Sequence, residues 1–448
     1  MPSPPARRRR PARLAALVVG LFVLAQSGSG RQPGLAPAPA APPLPIPGLV
    51  PGQPEPAKNG EADVPEYTLG ECIAIALERQ PTLRAARSSQ AASGAGLQAL
   101  DNIGRLGQLV AKDLPVRKEQ AQRGATAVAA DVQKTHNEIV HDVTRLYYTA
   151  VYARQVGLIA EDVVAQVELM TKIGKQLLDA GTLKMTRAKL NVMEIGLEDA
   201  RRLLRTAQQG ERKAYGALRE LMAVQETAVR FRVKDRELPI MVSNIPLSEE
   251  LVVEQALCRR PELALTAAGA DAFRLEVYAQ SAVRFKKTVP TLATGGDIKA
   301  REVPGTVREL GGQYKPGAIM PEMPPQLVGN QADRVARAMH YSQRADAVYE
   351  KVRNLVRLEA ENAFFEYELA AKNVTGGQLK FNSGKSLMVS VREAADNPNA
   401  EREQLVRGYV EAARAQSDYV EAVWQYLLTL AHLERVTAGG VRPDFPGR

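Results

Sequence analysis

Apolar residues recur along most of the chain with the spacing of long helices rather than of strands. From Leu190 to Leu221 the apolar positions step alternately by three and four residues, and only Glu211 interrupts them. A second series, from Leu405 to Leu433, steps in the same way. A repeat of 3.5 residues over many turns indicates left-handed coiled-coil packing, because it keeps one apolar seam facing a partner helix.

The distribution of prolines also favours very long helices. No proline occurs between Val116 and Leu238 or between Gln326 and Asn397. Because proline breaks helix interiors, both blocks can hold uninterrupted helices. The apolar spacing from Ala125 to Leu178 predicts one helix of roughly 80 Å, which is longer than an ordinary globular domain is wide.

Glycine turns are predicted to divide each block into a helical hairpin. The first turn is Asp179–Leu183 and the second is Asn382–Ser386, with a glycine suited to the left-handed conformation that follows a helix. Small and apolar residues at such a tip can contact the tip of a partner's hairpin, although a tip without a partner stays open as an alternative. The predicted partner-binding residues are Gly181, Thr182, Leu183, Lys184, Gly384, Lys385, Ser386 and Leu387.

The two halves of the chain carry an internal duplication. Residues 67–83 are similar to residues 247–263 at an offset of 180, and both segments contain the pattern Ala-Leu-x-x-x-Pro-x-Leu. Further on, Leu146-Tyr-Tyr148 corresponds to Ala363-Phe-Phe365. Each half is therefore predicted to be a short helix followed by a long helical hairpin.

This organisation resembles the TolC-like outer-membrane efflux family. The opening segment of the family's repeat matches Thr68–Ala85 and Ser248–Leu265, and its turn and return helix match Gly181–Ala217 and Gly384–Leu433. The resemblance implies a mainly α fold, with two repeats of long coiled-coil hairpins that form a TolC-like α-barrel. It also implies a homotrimer, a periplasmic adaptor (membrane-fusion) protein at the hairpin tips, and an inner-membrane pump that supplies the substrate.

The segments in which this family places membrane strands depart from its pattern. Residues 103–124 contain no aromatic residue and no alternation of apolar and polar positions over ten residues. Residues 288–330 are rich in proline and paired glycine. Membrane strands need about 9–11 alternating residues with aromatic girdles. We therefore expect little or degenerate β-barrel.

The ends of the chain predict an envelope protein with a tether. An arginine-rich start and the apolar run Leu14–Ala25 indicate a signal peptide, with an uncleaved anchor as the alternative. Residues 28–65 hold 11 of the 29 prolines and predict an unpacked linker. The predicted organisation is signal peptide 1–27, linker 28–65, repeat 1 over 66–238, repeat 2 over 239–437 and tail 438–448.

Charge and chemistry-bearing residues add no further site. The net charge of +9 comes from the leader (+5) and from residues 281–320 (+4), so the rest is neutral and nucleic-acid binding is not predicted. The Ser383–Ser386 stretch lacks the earlier glycine of a phosphate-binding loop, because Leu379 stands there. His136 and His141 are five residues apart, which is not the spacing of a helical metal site.

Two cysteines, Cys72 and Cys258, permit one disulfide, although buried free thiols are the preferred interpretation. No catalytic residue, cofactor or metal is predicted, and an enzyme is the least supported hypothesis. The leading hypothesis is an efflux duct of the outer membrane and periplasm, in a tripartite efflux or type I secretion system. The alternative is a periplasmic coiled-coil scaffold or interaction module that lacks the barrel.

Overall fold

The computed structural model describes residues 64–103, 112–181, 185–224, 231–241, 247–283, 327, 329–395 and 401–448. The predicted signal peptide and nearly all of the predicted linker lie outside these residues and stay predictions. Of the two segments in which the resembled family places membrane strands, 103–124 and 288–330, residues 104–111, 288–326 and 328 lie outside the described part of the chain. The remainder of the first segment is helical from Leu114 onward.

The described part of the chain is almost wholly helical. The first half contains α1 (Leu69–Arg79), α2 (Pro81–Asp101), α3 (Leu114–Asp179) and α4 (Arg187–Leu221). The second half contains α5 (Glu249–Arg259), α6 (Pro261–Ala282), α7 (Gln331–Ala395) and α8 (Arg402–Val436). Helix lengths of 11, 21, 66 and 35 residues are followed by 11, 22, 65 and 35. The prediction of a mainly α fold with two repeats of long hairpins is confirmed.

Both repeats begin with the same local structure. The hydroxyls of Thr68 and Ser248 accept an N–H from the first turn of α1 and α5. Helices α2 and α6 each start with a proline, and the preceding residue, Gln80 or Arg260, has a ψ of 121° or 123°. A residue before proline avoids the helical conformation, so the chain bends between the two helices of each pair.

The two predicted apolar seams are buried against neighbouring helices. Along α4, which packs on α3, the buried seam consists of Leu190, Met193, Leu197, Ala200, Ala207, Ala214 and Leu218. Along α8, which packs on α7, it consists of Leu405, Tyr409, Ala412, Tyr419, Val423, Tyr426, Leu430 and Leu433. Their spacing and burial agree with the coiled-coil prediction.

The residues after α8 are part of the core, which the sequence pattern did not indicate. Phe445 is 2% exposed and its ring lies 5.6 Å from that of Tyr148. The N–H of Gly70 donates to the carbonyl oxygen of Gly447 at 2.9 Å. The predicted tail at 438–448 therefore packs against α1 and α3. Near it, β1 (Glu66–Tyr67) pairs in parallel with β2 (Arg232–Val233).

A buried ion network joins three helices of the second repeat. Arg260 contacts carboxylate oxygens of Glu262 and Glu359, each at 2.8 Å. Arg435 contacts the other oxygen of Glu359 at 2.7 Å. All four side chains are less than 10% exposed. Burial raises the pKa of Glu262, but the neighbouring Arg260 outweighs it, so the pKa lies below its usual value.

His141 in α3 is buried, with 7% of its surface exposed. Its ring lies 6.0 Å from that of His432 in α8, and its Nδ1 lies 3.1 Å from the Asp142 carboxylate. Burial lowers the pKa of His141, and the charge of Arg435 adds to this effect while Asp142 opposes it. His141 is therefore neutral in the fold at pH values where the unfolded chain binds a proton.

We expect the free energy of unfolding to fall as the pH drops below about 6.5. Below that pH the histidine is protonated in the unfolded chain, whereas buried His141 stays neutral in the fold. Urea unfolding between about pH 8 and about pH 5 should show this slope, and His141→Gln should reduce it. The exposed His340→Gln variant serves as the matched control. An unchanged slope in His141→Gln would contradict the assignment.

Both cysteines are free thiols. Cys72 is buried, and burial raises its pKa to about 12. Cys258 is exposed, so the prediction of a buried thiol is confirmed for Cys72 and wrong for Cys258. Across the described residues, no helix has both the length and the hydropathy that a membrane span requires.

Candidate functional site

The first hairpin turns where the sequence predicted. Helix α3 ends at Asp179, and Gly181 follows with φ +68°, the left-handed conformation that glycine adopts without strain. Thr186 then caps α4 by accepting the N–H of Lys189 at 3.3 Å. Three of the predicted tip residues, Thr182, Leu183 and Lys184, lie outside the described residues.

The predicted second tip is wrong. Gly384, Lys385, Ser386 and Leu387 lie within α7, which continues to Ala395. Gly384 is buried there, and a Cβ at this position would lie 2.7 Å from Ala415 Cβ and 3.3 Å from the carbonyl oxygen of Ala412. This glycine therefore permits the close approach of α7 and α8 rather than a change of chain direction.

The connection between α7 and α8 instead falls at residues 396–400, which lie outside the described residues. The sequence did contain a signal for it, since these residues are Asp-Asn-Pro-Asn-Ala. Asparagine before proline favours a turn and ends a helix. The connection between the two helices thus begins at residue 396 rather than at residue 382, fourteen residues later than predicted.

Gly384→Ala is expected to lower the free energy of unfolding by about 1–3 kcal/mol, because its methyl group would push α8 away from α7. Gly376→Ala is the matched control in the same helix. Nothing lies within 4 Å of a Cβ at position 376, so this change should stabilise the helix by up to about 1 kcal/mol. Urea unfolding followed by circular dichroism measures both effects. Equal shifts for the two variants would contradict the close-approach role.

The two hairpins are held together near their tips. Lys189 of α4 contacts Glu401, the residue before α8, at 3.1 Å. Between the long helices, Arg392 of α7 contacts Asp162 of α3 at 3.2 Å. A methionine-rich cluster fills the space beneath, and its larger members include Met170, Met185, Met193, Met388, Leu197 and Leu405. Both tips therefore lie at the same end of the molecule.

The long helices also carry large apolar side chains that one copy of the chain leaves exposed. Most lie on α7, where the exposed side chains are Met339, Leu358, Phe365, Leu369, Leu379, Leu387 and Val389. Leu369 and Leu379 are 61% and 68% exposed. Others are Leu158 and Leu169 on α3 and Ile195 on α4. Exposed apolar groups recurring along one element are typical of protein–protein contact surfaces.

Other aromatic residues of α3 and α8 have structural contacts. Trp424 stacks on Tyr152 at 4.6 Å, and its Nε1–H donates to Thr149 Oγ1 at 3.2 Å. His136 and His141 both line an open cleft of about 220 Å³ between α3 and α8. Within the described ranges, no group of three or more His, Cys, Asp or Glu residues is placed to hold a metal ion.

Comparison of the sequence with family models and with curated proteins gives no match. The fold, in contrast, matches solved structures over most of its length. It is similar to the outer-membrane channel OprN, with 15% identity, coverage of 84% of this chain and 91% of that chain, and a TM-score of 0.64. The predicted resemblance is confirmed at the level of the fold.

Two further channels give similar values. The MtrE outer membrane channel of Neisseria gonorrhoeae, in its open state, has 18% identity, covers 84% and 90% of the two chains and has a TM-score of 0.61. The CmeC outer membrane channel of Campylobacter jejuni has 12% identity, covers 85% and 87%, and has a TM-score of 0.64. The chain therefore has the TolC-like fold, with helical repeats in the same arrangement as these channels.

Proposed function

We propose that this protein is the duct of an efflux or type I secretion system, placed in the outer membrane and exposed to the periplasm. The observation that carries the proposal is the match of fold over 84–85% of the chain to outer-membrane channels. Both repeats take part in it. A conduit requires long structural elements that can enclose a passage, and it does not require a reactive site.

The dimensions of the long helices suit a conduit. Helices α3 and α7 contain 66 and 65 residues, which corresponds to about 100 Å each. One copy cannot enclose a passage, and it leaves apolar side chains exposed along α7. We propose that three copies form a ring in which the hairpins are the wall.

The hairpin tips are the proposed contact with a periplasmic adaptor, and through it with an inner-membrane pump. Gly181 is the described residue of the first tip, and the helices of the second hairpin end at Ala395 and resume at Arg402. Toward this end of the molecule the two hairpins contact each other through Lys189 with Glu401 and through Arg392 with Asp162. An adaptor would therefore meet paired tips rather than one isolated turn.

Conductance in a planar lipid bilayer tests the duct function. The purified full chain is expected to give discrete steps of uniform size that depend on the native fold, with a heat-unfolded sample as control. Absence of conductance from a correctly folded oligomer would contradict a duct. That result would favour the alternative of a periplasmic coiled-coil scaffold.

A further inference from the structure

Helices α2 and α6 hold the same place in the two repeats, but their surroundings differ. Helix α6 packs between α3 and α7, the long helices of both repeats. Helix α2 packs extensively on α3, and no other helix covers it to a comparable extent in the described part of the chain. One side of α6 is therefore covered by a second long helix, whereas the equivalent side of α2 is open.

Burial at equivalent positions locates this open side. At the repeat offset of 180, nine positions are buried in α6 and exposed in α2, and six of them lie between positions 265 and 279 on one side of α6. In α6 these six are Leu265, Ala268, Gly269, Ala272, Glu276 and Ala279. In α2 they are Ala85, Ser88, Ser89, Ala92, Gly96 and Ala99, here called the α2 face.

The α2 face contains no charged residue although it is exposed. The charged residues of α2 stand elsewhere: Arg84 and Asp101 are equivalent to Ala264 and Ser281, which are exposed in α6. Arg87 is equivalent to the half-buried Ala267. Burying the α2 face would therefore remove no charged side chain from water. Removing a charged side chain from water costs far more free energy than burying small uncharged groups.

The second repeat shows which surface should cover the α2 face. The side of α6 equivalent to it packs on α3, where buried Gln120 donates to the carbonyl oxygen of Ala272 at 2.9 Å. Ala130 of α3 is buried at the same interface. At the offset of 217 that relates α3 to α7, these two residues correspond to Arg337 and Ala347, both of which are exposed.

We propose that the α2 face of one copy packs on α7 of a second copy, around Arg337 and Ala347, as α6 packs on α3 within the chain. The proposal rests on the assembly of copies in the proposed duct and assigns the surfaces they use. The two surfaces differ, so the contact is head-to-tail and can close into a ring. The apolar stem of Arg337 can lie across Ala92 and Gly96 while its guanidinium reaches solvent.

Cysteine cross-linking tests this contact directly. The background is the full chain with Cys258→Ser, which removes the exposed thiol and leaves buried Cys72. Ala92→Cys combined with Arg337→Cys is treated with a short bis-maleimide. The expected products are covalent dimers and trimers, without larger species. Ala92→Cys alone and Arg337→Cys alone should give none, because a head-to-tail contact keeps identical residues apart.

The matched control replaces Ala92→Cys by Gln98→Cys. Position 98 lies on the same helix, and its equivalent, Tyr278, is 64% exposed in α6. This pair should give at most a few per cent of the cross-linked product. Circular dichroism confirms that each variant is folded, and native mass reports assembly independently of cross-linking.

A trimeric native mass without Ala92–Arg337 cross-links would overturn the proposed surfaces and leave the duct intact. A monomeric native mass without cross-links would overturn both proposals. Efficient cross-linking of Ala92→Cys alone would also contradict the head-to-tail arrangement, because it requires a two-fold contact between identical faces.

Discussion

Replacing Glu359 by alanine is expected to lower the free energy of unfolding by about 3–5 kcal/mol. The Glu359 carboxylate is 1% exposed and contacts both Arg260 and Arg435. Its removal leaves two buried guanidinium groups with Glu262 as the remaining contacting carboxylate of the network. The expected fall in the free energy of unfolding therefore comes from an uncompensated buried charge rather than from the loss of one contact.

Urea unfolding measures this effect as a shift of the midpoint at an unchanged slope. Glu368→Ala is the control, because its pair with Lys372 on the same helix is half exposed and should contribute less than about 1 kcal/mol. Glu359→Gln keeps the volume and removes only the charge. A loss in Glu359→Ala no larger than that in Glu368→Ala would show that the network does not hold the three helices together.

Arg334→Ala is the second change for which we expect a large effect, about 3 kcal/mol or more. Arg334 is 1% exposed and donates to the carbonyl oxygens of Gly329 and Val283, each at 2.7 Å, and to Gln280 Oε1 at 2.8 Å. Without it, the buried Gln280 side chain and the two carbonyl oxygens lose their donor, and a void remains. Its position matters for the fold because Val283 and Gly329 flank the long segment that joins α6 to α7.

The measurement is urea unfolding, complemented by limited proteolysis of the native protein. Arg334→Ala should be cleaved faster than the parent near the ends of α6 and α7, because the clamp between them is lost. Arg353→Ala is the control, since this arginine is exposed on the same helix. Equal stability and equal cleavage of the two variants would contradict the clamp.

The helices were predictable because their signal is periodic and long. The seams from Leu190 and from Leu405 are buried as the 3.5-residue repeat predicted. The apolar spacing predicts the start of α3 at Ala125, which is eleven residues after its observed start at Leu114. Pro115 in the first turn of α3 is compatible with helix and was a usable start signal.

A single glycine in a helical pattern is ambiguous, and this explains the contrast between the two predicted tips. Gly181 ends a helix, whereas Gly384 lets two helices approach each other. The local sequence is similar in both cases. The turn signal at 396–400 marks the end of α7, whereas the alanines opposite position 384, Ala412 and Ala415, explain why Gly384 lies within the helix. Those residues lie about thirty positions away, so the distinction depends on tertiary contacts.

The buried polar residues could not be paired from the sequence. Arg260 and Glu359 are 99 residues apart, and each is unremarkable in its own segment. The burial of His141 likewise results from the packing of α8 on α3, and α3 carries too many half-buried positions to show which face is covered. Such pairings are set by how the two repeats pack together rather than by local pattern.

We propose that three copies of this chain assemble into one duct. Native mass spectrometry of the chain from about Gly28 onward, in detergent and without it, tests that claim most directly. We expect a mass of three chains for the parent protein. We expect Ala92→Arg, which places an arginine on the α2 face, to reduce this mass to that of one chain. A monomer of the parent protein under every condition, with the helical content intact, would contradict the proposal.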